Sequence, residues 1–177
     1  MKTETLEKLQ AAIRDIEDFP KPGIVFKDIT PLLLDPEVFK LAIDELIATL
    51  EGQKVDKIIG IDARGFIFGA VIAHQMGIGF VPVRKVGKLP HDTESVAYSL
   101  EYGEAEIQIH QDAISAGERV MIVDDLLATG GTAAAAIELV KRLGGELVAA
   151  SFLIELDFLN GRELLGADVP VHSLLNY

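Results

Sequence analysis

The sequence contains no cysteine. That absence removes disulfide frameworks, thiol nucleophiles and Cys-ligated zinc or iron–sulfur centres together. Positive charge is also scarce, with 16 Lys+Arg against 28 Asp+Glu and a formal net charge of −12. Nucleic acid and anionic lipid both favour a basic face, so the balance argues against either as a partner. No apolar run approaches the roughly 20 residues that span a bilayer. The opening Met1-Lys2-Thr3-Glu4-Thr5 lacks the apolar stretch of a signal peptide. A cytoplasmic protein is expected, free of membrane and of nucleic acid. What the chain does have is 177 residues, 49% of them hydrophobic. That suffices for one domain over residues 1–177 with a single core. An acidic chain of this kind still binds an anion where it gathers cations and backbone N–H groups locally.

Leu6, Leu9, Ile13 and Ile16 recur at helical spacing and predict a helix over 5–16. Phe19-Pro20-Lys21-Pro22-Gly23 stops it, because neither proline continues a helix. Asp35-Pro36-Glu37 signals a helix start, with Asp as N-cap and Pro at the first helical position. Val38, Leu41, Ala42, Leu46 and Leu50 give that helix one apolar face, and Gly52 ends it. Beyond this point short apolar runs alternate with helical segments. Strands are expected at 57–62, 80–83 and 119–123, an extended pair at 95–100 and 106–110, and further strands at 147–154 and 171–174. Helices are expected at 65–76 and 132–143, and residues 157–168 read as a surface segment broken by Gly161 and Gly166. Runs apolar on both faces, alternating with helices, predict an α/β domain with a mainly parallel central sheet flanked by helices. Pro82 suits an edge strand or a strand end.

The most informative stretch is Val120-Met121-Ile122-Val123-Asp124-Asp125-Leu126-Leu127-Ala128-Thr129-Gly130-Gly131-Thr132. A strand leads into two adjacent carboxylates, a small-residue loop and a helix start. In open α/β sheets ligands bind beyond the carboxyl ends of the strands. Gly130 and Gly131 permit close backbone approach, and the helix start offers unpaired N–H groups, a combination that favours phosphate. Asp124 and Asp125 can accept hydrogen bonds from vicinal hydroxyls such as those of a ribose. No Gly-Lys-Ser/Thr follows, so this is not a Walker A loop, and its glycine spacing is not that of a dinucleotide fingerprint.

This string closely resembles the phosphoribosyl pyrophosphate motif of the type I purine phosphoribosyltransferases, in the form carried by the adenine-specific branch. The resemblance continues at Phe19-Pro20-Lys21-Pro22-Gly23-Ile24-Val25-Phe26-Lys27-Asp28-Ile29 and at Ile61-Asp62-Ala63-Arg64-Gly65-Phe66. It recurs at Val83-Arg84-Lys85-Val86-Gly87-Lys88-Leu89-Pro90 and at Tyr98-Ser99-Leu100-Glu101-Tyr102-Gly103. These blocks follow the family's order and span most of the chain. The implied fold is the type I phosphoribosyltransferase fold, with a small hood over about residues 1–35 and a mobile lid loop.

The resemblance also assigns roles. Asp124 and Asp125 would hold the ribose hydroxyls, and Leu127, Ala128, Thr129, Gly130, Gly131 and Thr132 the 5′-phosphate end of phosphoribosyl pyrophosphate or AMP. Asp62, Ala63 and Arg64 form the implied pyrophosphate loop, where family members often hold a non-proline cis peptide. Some relatives have Ser at the position of Ala63, so no side-chain contact is assigned there. In isolation Arg64 reads as an ordinary surface arginine. Arg84, Lys85 and Lys88 place three cations within five residues of an acidic chain, on a stretch with Gly87 and Pro90 as hinges. They read as a lid that brings positive charge to pyrophosphate, with Arg84 implied to reach a neighbouring subunit's site. Glu101 near a turn would ordinarily be a solvated carboxylate. The family role is proton handling at the purine imidazole edge, with Tyr102 in the closing loop. Catalytic roles thus fall to Glu101 and Arg64.

Phe26, after two prolines and a glycine, belongs to a segment with little expected regular structure, and composition alone favours core packing for it. By resemblance the backbone of Val25 and Lys27 reads the adenine edge while Phe26 and Leu126 sandwich the ring. The four histidines show no ligand spacing, and no metal-binding residues are assigned. Mg²⁺ is expected to arrive on the substrate's phosphates. The implied reaction joins adenine to phosphoribosyl pyrophosphate, giving AMP and pyrophosphate in purine salvage, in a homodimer. Transfer to an oxopurine, or a non-catalytic regulator that senses phosphoribosyl pyrophosphate, are the alternatives.

Overall fold

A computed structural model of the chain describes residues 2–99 and 104–177. The chain divides into two compact units, Met1–Ile47 and Ala48–Tyr177.

The first unit opens with helix α1 (Thr3–Ala11), followed by strand β1 (Arg14–Ile16). The predicted helix over 5–16 is therefore too long. Residues 14–16 instead pair antiparallel with strand β2 (Phe26–Asp28), in the register Arg14↔Asp28, Asp15↔Lys27 and Ile16↔Phe26. Alternate salt links hold this ribbon: Arg14 to Asp28 at 3.1 Å and Lys27 to Asp15 at 2.7 Å. The segment after the prolines thus has more regular structure than its composition suggested. A short helix α2 (Thr30–Leu34) precedes α3 (Pro36–Ala48). Asp35 caps α3 as expected, its Oδ1 accepting the backbone N–H groups of Glu37 and Val38 at 2.9 and 3.1 Å.

The described strands of the second unit form a seven-stranded sheet. Its members are β3 (Lys57–Ile61), β4 (Gly79–Lys85), β5 (Thr93–Ser99), β6 (Glu104–His110), β7 (Arg119–Leu127), β8 (Glu146–Glu155) and β9 (Val171–Asn176). They lie in the order β5-β6-β4-β3-β7-β8-β9. The five strands from β4 to β9 in that order run parallel, and β6 and β5 join antiparallel. Helices α4 (Gly65–Met76) and α5 (Gly131–Arg142) connect parallel neighbours. The mainly parallel α/β architecture is the one the alternating pattern predicted.

Ile59, Ile61, Val81, Val83, Val120 and Ile122 meet α5 in one buried cluster. Alternation turns Ile58 and Met121 to the other face, and both are fully buried. α4 lies against β3 and β7. Burial of each such side chain is worth about 1.5–3 kcal/mol, against about 0.2–1 kcal/mol for an exposed ion pair. The core therefore fixes the sheet, and the sheet fixes its loops.

Two strand details bear on function. Pro82 lies in an interior strand, contrary to the edge expectation, but β6 joins β4 only at Arg84↔Gln108 and Lys85↔Ile107. The proline thus precedes that junction, where its missing N–H has no strand partner to satisfy. β7 also runs past the predicted end, as far as Leu127. Its pairing with β3 stops at Gly60↔Val123, while β8 continues alongside it to Leu127↔Glu155. Asp124 and Asp125 therefore begin where β7 loses one neighbour and keeps the other.

Candidate active site

β3 and β7 are adjacent and parallel, so their carboxyl ends emerge side by side. The first leads into Asp62, Ala63 and Arg64 and then α4. The second leads through Asp124 and Asp125 into the loop that starts α5. Gly65 makes their approach possible: a Cβ there would sit 2.7 Å from the Val123 carbonyl oxygen and 2.9 Å from Asp124 Oδ1. Any larger residue would force α4 off β7.

The cations arrive beside these carboxylates. Arg64 Nε lies 3.0 Å from Asp125 Oδ2, and Asp125 is only 3% exposed. Arg84, at the end of β4, places Nε 2.8 Å from Asp62 Oδ2. It also donates to the Lys88 carbonyl oxygen at 3.2 Å, and its guanidinium stands 5.9 Å from the Phe66 ring centre. Lys85 and Lys88 are exposed on the same turn. The Asp62–Ala63 peptide is cis. Arg64, Arg84, Asp62 and Asp125 therefore form two ion pairs at one end of the sheet, each joining the loop after β3 to a neighbouring strand.

Burial chiefly, and the neighbouring Asp125 charge next, raise the Asp124 carboxyl well above the usual carboxylate range. Asp125 is also raised by burial, with the Arg64 guanidinium opposing the rise. Asp124 Oδ1 accepts the Asp125 backbone N–H at 2.9 Å. One buried and one half-buried carboxylate, with a single arginine paired to the buried one, are costly to keep ionised. They are suited to a ligand that supplies hydrogen-bond donors.

Beyond them, Asp124 and 126–133 line a cavity of about 90 Å³. Gly130 has φ +83° and leads into the first turn of α5, where backbone N–H groups face outward without helical partners. A larger cavity of about 710 Å³ lies at the ends of β8 and β9, lined by Glu155, Asp157, Asn160, Arg162 and Glu163 among others. Its arginine is already held bidentate by Glu155, with Nε to Oε1 at 3.0 Å. Acidic walls and a neutralised guanidinium make it a poor anion site despite its size. The chemistry favours the smaller cavity.

One participant was missed in the sequence. Gly161, read there as a break in a surface segment, is buried, and it lies against the backbone of Ala128 and Gly130. A Cβ on Gly161 would fall 2.0 Å from the Ala128 carbonyl oxygen, and one on Gly130 would fall 2.2 Å from that of Gly161. Two glycines far apart in the chain thus share one backbone contact. No local signal in the sequence distinguishes such a glycine from a turn glycine.

The hood residues Val25, Phe26 and Lys27 belong to the first unit. Val25 is exposed, Phe26 meets Phe19 edge-on at 5.2 Å, and the Lys27 ammonium is bound to Asp15. Phe19–Pro20 is cis. Leu126, between the acidic pair and the glycine loop, is partly buried. Glu101 and Tyr102 lie outside the described residues. Among the described residues no group of three or more His, Asp or Glu side chains is arranged to hold a metal ion, and no helix is long and apolar enough to cross a membrane.

Residues 33–161 match the family model of the phosphoribosyl transferase domain. An adenine phosphoribosyltransferase of Methylococcus capsulatus is 55% identical over 172 residues, covering 97% of this chain and all of that one. The chain belongs to the adenine phosphoribosyltransferase family. Solved family structures agree with it closely. The Rhodothermus marinus enzyme superposes with a TM-score of 0.95 at 53% identity, over 99% of this chain and 100% of that one. The Saccharomyces cerevisiae enzyme, solved with an imino-altritol bisphosphate and adenine, gives a TM-score of 0.92 at 42% identity, over 98% and 99%. The family's fold is therefore this chain's fold.

Proposed function

We propose that the protein transfers the 5-phosphoribosyl group of phosphoribosyl pyrophosphate to adenine, releasing pyrophosphate and forming AMP for purine salvage. The observation that carries this reading is the pairing of loops at one sheet end. A glycine-rich helix start and an adjacent pair of carboxylates, one buried and one half-buried, stand beside an arginine-bearing loop. The 5′-phosphate fits the 127–132 loop, and the ribose hydroxyls fit Asp124 and Asp125. Ribose binding replaces Arg64 on Asp125, which releases the guanidinium for the diphosphate. Arg84, Lys85 and Lys88, with the loop at Asp62 and Ala63, supply the remaining positive and N–H surface.

The reaction breaks the bond from C1′ to the pyrophosphate oxygen and forms one from C1′ to the base nitrogen. The ring nitrogen's proton must leave, a task the family resemblance gives to Glu101. Charge develops as an oxocarbenium-like centre and a departing anion, so no protein nucleophile is required. Positioning, leaving-group stabilisation and exclusion of water carry the catalysis. Mg²⁺ enters as part of the substrate, on its phosphates, in keeping with that ion's preference for phosphate and water ligands. Base recognition is assigned to Val25, Phe26, Lys27 and Leu126, and closure to Tyr102. The two units are taken to serve one phosphoribosyltransferase domain, as a cytoplasmic homodimer whose partners are small molecules rather than nucleic acid or membrane.

The test is nucleotide formation from phosphoribosyl pyrophosphate and Mg²⁺ with each purine and pyrimidine base in turn. AMP from adenine, with one pyrophosphate per AMP, is the expected result. Product from hypoxanthine, guanine or xanthine in its place would discard the base assignment and keep the phosphoribosyl site. Tight binding with no product would mark a regulator.

A further inference from the structure

We propose that Tyr98 is a positioning residue for the 5′-phosphate, acting through Thr132. The inference rests on the reading of the 127–132 loop as the phosphate site. Tyr98 stands on β5, paired with Ala105 of β6, at the far side of the sheet from β7 in strand order. Its side chain nevertheless reaches the start of α5. The Thr132 hydroxyl donates to the Tyr98 phenol oxygen at 2.9 Å. The ring lies against Gly131, where an added Cβ would come within 3.1 Å of Tyr98 Cδ2. Tyr98 therefore touches two consecutive residues of the loop, one by packing and one by a hydrogen bond.

The chemistry gives the hydrogen bond a direction to change. A phosphate dianion only accepts, so Thr132 must turn its single proton onto it. That leaves the Thr132 oxygen with an empty acceptor position and the phenol with a proton to give. Tyr98 then donates to Thr132 while Thr132 donates to phosphate, a two-hydroxyl chain in which each bond polarises the next. Without ligand the phenol accepts the threonine proton and keeps the rotor aligned. The ring sets the position of Gly131, and the hydroxyl sets the orientation of Thr132. These two functions can be separated by mutation.

Tyr98→Phe keeps the ring against Gly131 and removes only the phenol oxygen. We expect KM for phosphoribosyl pyrophosphate to rise about fivefold to tenfold, as for loss of one neutral hydrogen bond in a network. KM for adenine and the melting temperature should stay unchanged. Thr132→Ala should raise KM for phosphoribosyl pyrophosphate at least as much, and Y98F/T132A should match T132A alone, because the phenol then has nothing to orient. Wild-type kinetics in Y98F alongside an impaired T132A would overturn the positioning role and leave the phosphate loop standing. Additive effects in the double variant would also overturn it, as would a lowered melting temperature with both KM values raised. Unaltered phosphoribosyl pyrophosphate kinetics in T132A would instead remove the phosphate assignment itself.

Discussion

Replacing both Asp124 and Asp125 with asparagine is expected to lower kcat/KM for phosphoribosyl pyrophosphate by about 10²–10³, with KM for adenine little changed. In the proposed site each carboxylate would accept from a ribose hydroxyl, and hydrogen bonds to charged groups contribute about 1.5–3 kcal/mol apiece. An amide oxygen still accepts, but without the charge. The change at Asp125 would also leave Arg64 without its ion pair, a partner now 3.0 Å away. Steady-state kinetics with each substrate varied separately checks the claim, and a change below threefold would refute the ribose assignment. The single variant D124N has a second expected effect, on stability. Burial raises the folded-state pKa of Asp124 above its unfolded value, so the ionised carboxylate costs stability at neutral pH. That cost shrinks as pH falls through the folded pKa and is gone below the unfolded one. D124N should therefore melt higher than the wild type at pH 7–8, by about 2–4 °C for each kcal/mol relieved. The gain should fade as the pH is lowered toward 4. Stability and activity would then move in opposite directions at one residue, as expected of a site built for a ligand.

Gly161→Ala is the second large effect. The added methyl would stand 2.0 Å from the Ala128 carbonyl oxygen and 2.9 Å from the Gly130 nitrogen. Both are backbone atoms of the 127–132 loop, with no flexible side chain to yield. Either the 161–165 turn or the loop must move, and overpacking of this kind costs about 1–3 kcal/mol. Displacement of the loop by about 1 Å is enough to lower turnover about 10²-fold. The expected outcome is a folded protein, by circular dichroism, with a lowered melting temperature and kcat/KM for phosphoribosyl pyrophosphate down at least 10²-fold. Wild-type kinetics would show that the contact between Gly161 and the loop is not needed for catalysis.

The contrast between these two sites shows what the sequence can reveal. Asp124 and Asp125 stand out because paired carboxylates interrupt a buried apolar run, and a glycine pair follows within six residues. The helix start at Asp35-Pro36 was equally legible, since capping is a local event and Asp35 does hold the N–H groups of Glu37 and Val38. Ile13 and Ile16 misled because three residues of strand β1 are too few to display alternation, and their pairing is decided by β2, beyond the prolines. The extension of β7 to Leu127 was hidden for a similar reason: the neighbour that supports it is β8, which follows α5. Gly161 and Tyr98 were hidden most deeply. Each reaches the 127–132 loop only after β5, α5 and the 161–165 turn have come together. Contacts made by tertiary approach leave no periodic trace.

The most direct test of the account is an amide chemical-shift titration of the protein with AMP. The largest shifts are expected on residues 124–132, with Arg64 and Tyr98 following. Little change is expected at Glu155, Arg162 and Val171 around the larger cavity. Shifts concentrated at that larger cavity, with the 127–132 amides unmoved, would contradict it.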